Sequence, residues 1–134
     1  MTKERPDWVE EMMQEQAFLR KELGVTEADY RDAVESLLQL AVGDTGGSRA
    51  AAQLLLSLYN GNRFHMDMTD LCVLDLQYFQ QALIAIRGRV VLNHGPHSMI
   101  TNGSERFEAL ADQWAHYSTK QRYVTGRGSE EEGS

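Results

Sequence analysis

Two stretches of the chain hold residue types that could do chemistry. Gly46 and Gly47 precede Ser48 and Arg49, where a helix is expected to begin. Free backbone N–H groups, a hydroxyl at Ser48 and the Arg49 cation would together form a cradle for an anion. The run lacks the spacing and the lysine of a phosphate-binding loop, no strand precedes it, and Asp44 repels phosphate. A connecting turn between packed helices is the simpler reading of its glycines. His94 and His97 lie three residues apart, and His65, Asp67 and Asp70 are further zinc-compatible side chains. No His-Glu-x-x-His pattern or cysteine pair supports them, so no metal ligand and no cofactor is assigned. Cys72 is flanked by Leu71, Val73 and Leu74, the setting of an inert core thiol. Nothing marks a nucleophile elbow or a Cys–His dyad, so no catalytic residue is assigned.

Helices must position these groups. A first helix is expected from about Pro6 to Leu23, with Trp8, Met12, Leu19 and Leu23 forming one apolar stripe on a charged cylinder. Trp8, Met12 and Leu19 are the candidate partner-binding residues, since Trp and Met suit adaptable contact surfaces. Thr26 reads as the cap of a second helix burying Tyr30, Ala33, Val34, Leu37, Leu38 and Ala41. Ser48 reads as the cap of a third, from Arg49 to Tyr59, apolar on nearly every side except a strip at Gln53 and Ser57. That helix belongs at the centre.

Asn60-Gly61-Asn62 breaks the chain, and Arg63 to Met68 alternates as a short extended piece does. Thr69 is expected to cap a single turn, and Asp75 a long helix to about Leu92 with a seam at Leu76, Phe79, Leu83, Ile86 and Val90. Gly88 inside it implies a close crossing or a bend. Ser104 is read as the cap of a last helix presenting Phe107, Leu110, Ala111, Trp114 and Tyr117. The expected fold is all-α, about five helices around Arg49 to Tyr59. The expected division is an amphipathic helix at 1–24, a helical core at 25–123 and a disordered acidic tail at 124–134.

Composition narrows the partners. A chain of 134 residues, 42% hydrophobic, suits one core, and its net charge of −7 repels nucleic-acid backbones. No local basic patch opposes that field, so direct nucleic-acid binding is not expected. Carboxylates interrupt every apolar stretch short of a bilayer span, which argues against a membrane. One cysteine cannot close an internal disulfide, and no secretory leader is visible, so a cytoplasmic location is expected. The expected partner is another protein, and a homo-oligomer is left open. An enzymatic alternative requires the Asp44 to Arg49 loop to converge with His65, His94 or His97 in one pocket.

Gly43-Asp44-Thr45-Gly46-Gly47-Ser48-Arg49, Leu54-Leu55, Phe64 followed by Asp67-Met68-Thr69-Asp70-Leu71, and Asp75 together form a pattern. From about Val34 to Trp114 the chain resembles a family of small bacterial proteins found on plasmids and integrated elements, domain of unknown function 7673. The resemblance implies no activity. Physically, Arg49, Asp67, Thr69, Asp70 and Asp75 read as a structural motif in which Arg49 pairs with Asp67 or Asp70 and ties two segments together.

Overall fold

A helix that is apolar all round must be enclosed, and every residue from Ala50 to Leu56 is buried. The computed structural model describes residues 6–121 and is all-α. Its five α-helices are α1 (Asp7–Glu22), α2 (Glu27–Ala41), α3 (Gly46–Tyr59), α4 (Leu76–Arg87) and α5 (Gly103–Gln113). Short 3-10 segments lie at Met68–Val73, Pro96–Met99 and Ala115–Tyr117, and a π-helical turn at Gly88–Leu92 follows α4. Among the described residues the only extended pairing is an isolated bridge between Phe64 and Ser118. The expected tail at 124–134 lies outside the described residues.

α2 and α3 form the centre, with α4 against α2 and α5 against α3. α2 is capped by Thr26, whose hydroxyl accepts the Asp29 N–H at 3.0 Å, and it buries the six side chains its pattern predicted. Each large aliphatic side chain so enclosed contributes roughly 1.5–3 kcal/mol. Its last carbonyls are satisfied from the end of α5. Trp114 Nε1 donates to Ala41, and Gln113 Nε2 to Val42 and Gly43. A bidentate pair between Arg106 and Glu35 binds α5 to α2, and the Arg106 guanidinium holds the Glu35 carboxyl below its usual range.

Several expected caps move. Thr45, not Ser48, caps α3, so Gly46 and Gly47 are its first helical residues and Ser48 is a buried residue of the first turn. Thr45 reaches the Ser48 N–H across a standard three-residue span, which accommodates glycine better than a loop extension would. The 3-10 segment starts after Asp67, leaving Thr69 inside it. Asp75 occupies the cap position of α4 without a side-chain hydrogen bond. α5 starts after Asn102, in the left-handed region at φ 56°, and Ser104 lies within the helix.

The seam expected for α4 is also corrected. Phe79 and Ile86 of that seam pack half-buried against the core, but the buried residues are Ala82 and Ala85, continued by Gly88, while Leu76, Leu83 and Val90 are exposed. Small residues let α2 come close, because helix separation follows the side chains at the contact. A Cβ on Gly88 would lie 2.3 Å from the Tyr30 ring. The Tyr30 hydroxyl donates to the His94 carbonyl at 2.6 Å, and burial pushes its pKa up to about 12 against the opposing pull of Arg89. Cys72 is exposed, not core, because the Met68–Val73 segment buries none of its side chains.

Candidate functional site

The two sequence motifs meet where α3 touches the Met68–Val73 segment. Arg49, Gln53 and Ser57 are spaced by four along α3, which puts them on one side of the helix. Gln53 is 2% exposed, and its Nε2 donates to Asp70 Oδ2 at 2.6 Å. Arg49 Nε stands 3.8 Å from the same oxygen and makes no hydrogen bond among the described residues. Asp70 is thus the contact Arg49 finds, and Gln53 is a donor that sequence reasoning missed. Its position in line with Arg49 was the available signal. Asp67, Thr69 and Asp75 lie exposed along the same connection.

At the expected anion cradle, Thr45 engages the Ser48 groups. Thr45 Oγ1 takes the Ser48 N–H and lies 2.9 Å from the Ser48 hydroxyl. A Cβ on Gly46 would meet nothing, and one on Gly47 only ordinary contacts. Crowding falls on Gly43 instead, where a Cβ would stand 2.7 Å from Ser48 Oγ.

The histidines have separate surroundings. His94 lies 3.9 Å from Glu27, His97 stacks edge-on against Tyr59, and His65 is exposed beyond α3. Among the described residues no group of three or more His, Cys, Asp or Glu side chains could hold a metal ion. Five surface cavities of about 230 to 430 Å³ are lined neither by Asp44 to Arg49 nor by these histidines.

Two apolar faces remain on the outside. α1 buries no side chain: Trp8 is 64% exposed, and Met12, Leu19 and Leu23 are exposed with it. Its acidic first turn and its Arg20 and Lys21 at the far end both suit the helix dipole. The outer line of α4 and the following turn reads Leu76, Gln80, Leu83, Arg87, Val90, all exposed, with Leu76 at 83%. The sequence assigned three of these to the core. The contrary signal was Ala82, Ala85 and Gly88 at spacings of three.

Fold and seam together define a small all-α domain whose two sequence motifs join α3 to the turn before α4. Residues 31–115 match the family of unknown function DUF7673, and the chain belongs to that family. The match starts inside α2 and ends after α5, so α1 falls outside it. Comparisons with curated proteins and with solved structures gave no match. Among the described residues no helix is long and apolar enough to cross a membrane.

Proposed function

We propose that the protein is a noncatalytic interaction module that docks on another protein through α1. The observation that carries this reading is the exposure of Trp8, Met12, Leu19 and Leu23 on a helix that buries nothing. A 16-residue helix that buries no side chain is marginal in water, so its apolar stripe gains stability when something covers it. Trp8 has the size and amphipathic character of a binding anchor. The motif residues Arg49, Gln53 and Asp70 serve in this reading as a tie within the domain. The resemblance to plasmid-borne proteins favours an accessory role on a bacterial mobile element, acting in the cytoplasm. Inhibition of a host defence complex is one such role, in which an acidic helical protein occupies a surface meant for nucleic acid.

The test compares the full chain with a Trp8→Glu/Leu19→Glu variant. The variant keeps its thermal midpoint in dilute solution and loses the proteins that the parent retains from a lysate of the source cells. Equal retention by both would remove α1 from the docking role.

A further inference from the structure

The α1 stripe and the outer face of α4 have the same form. Trp8, Met12, Glu15, Leu19 and Glu22 follow spacings of four, three, four and three, and so do Leu76, Gln80, Leu83, Arg87 and Val90. Such lines pack side by side at a shallow angle, as in helix pairs of bundles. Their charges are opposite. α1 holds Asp7, Glu10, Glu11, Glu15 and Glu22 against Arg20 and Lys21, whereas residues 76–104 hold no carboxylate and put Arg87 on the outer face, with Arg89 turned to the Leu58 carbonyl. Glu15 and Arg87 each fall within the corresponding line, and among the described residues neither has an ion-pair partner. The link after α1 lies beside the α4 face, because Gly24, Val25, Asp29, Gln80, Leu83 and Arg87 line one cavity of about 330 Å³.

We propose that α1 of one copy docks on the α4 face of a second copy, forming a two-fold dimer with Glu15 facing Arg87. This rests on the reading of α1 as a docking helix and names its occupant. A second copy is the occupant because each chain carries both faces. One two-fold axis covers both stripes in both chains and leaves none open. A foreign partner on α1 would leave Leu76, Leu83 and Val90 in water. The charged pair fixes which face α1 selects, since α1 packed on α1 would bring acidic edges together.

Sedimentation velocity over a concentration series of the full chain tests this, with circular dichroism as a folding control for substitutions at exposed positions. The parent is expected to dimerise. Met12→Glu and Leu83→Glu should each weaken association by about tenfold or more, because a buried carboxylate without a partner is costly. Mixed together, these two variants should associate more tightly than either alone, since one intact α1–α4 contact survives in the mixed pair. Glu15→Arg and Arg87→Glu should each weaken the dimer, and the double variant should restore it. A parent that stays monomeric at every concentration overturns the proposal. So does a dimer that Met12→Glu breaks and Leu83→Glu leaves intact, which would mean α1 packed on α1. If the parent is monomeric but Trp8→Glu/Leu19→Glu still loses a captured protein, the wider docking reading survives and the second copy does not.

Discussion

α3 and α1 are close in length and both carry lines of apolar side chains, yet one is the centre of the domain and the other contributes nothing to its core. The difference lies in the rest of each helix. α3 is apolar on nearly all sides, and after its first turn only Arg49, Gln53 and Ser57 interrupt it, so enclosure is the favourable arrangement. α1 has a single stripe on a charged cylinder, an arrangement equally compatible with a host core or with an external surface. The apolar stripe alone therefore does not state what covers that side of a helix.

The sharpest test of this contrast is Leu55→Ala in α3. Leu55 is fully buried, and its truncation should cost about 2 to 5 kcal/mol in denaturant unfolding. The matching Leu19→Ala in α1 should cost almost nothing in dilute solution, and equal losses at the two sites would erase the distinction.

Next in size is Gly88→Ala, where the added methyl group meets the Tyr30 ring and should destabilise by about 1 to 3 kcal/mol. The same contact sets an alkaline limit. Tyr30 has a folded pKa of about 12, above its ordinary value of 10.0, so the folded state holds the phenol proton more tightly. Its contribution is fully present below pH 10 and is lost as pH rises toward 12. Urea midpoints measured from pH 9 upward should fall less steeply in Tyr30→Phe than in the parent.

These residues also mark how far the sequence carries. Periodicity located the five helices and identified the buried set of α2, because polar residues on its other side left one choice. It misplaced the seam of α4, where large side chains outweighed Ala82, Ala85 and Gly88 in the pattern although small residues govern how near α2 can come. The exposure of Cys72 followed the same kind of error: a local apolar run was taken for burial, although only Leu71 and Leu74 pack toward the core while Cys72 and Val73 between them are exposed. At the seam, residue type pointed to Arg49 and an aspartate but not to Gln53, whose role depends on which side of α3 the turn packs against.

That seam supplies a smaller effect. Asp70→Ala removes the acceptor that the buried Gln53 Nε2 uses and should cost about 1 to 3 kcal/mol. Arg49→Ala should cost under about 1 kcal/mol, because the pair is partly exposed and 3.8 Å apart. Chemical unfolding of both single variants and the double variant checks the order. A larger loss for Arg49→Ala would give the arginine the structural role that Gln53 holds here.

The smallest expected effect separates stability of the chain from stability gained by association. Removal of residues 1–24 takes away a helix with no buried side chain, so the midpoint in dilute solution should stay where it is. At higher concentration the two proteins should part. A ligand that binds only the folded state raises the midpoint as its concentration rises, and a second copy acts as such a ligand. The parent should therefore melt at higher temperature as protein concentration increases, while the truncated chain shows no such rise. Differential scanning calorimetry over a hundredfold range of protein concentration reads that rise. A truncated chain that melts lower even in dilute solution would show that α1 supports its own domain, and the contrast between α1 and α3 would be one of degree only.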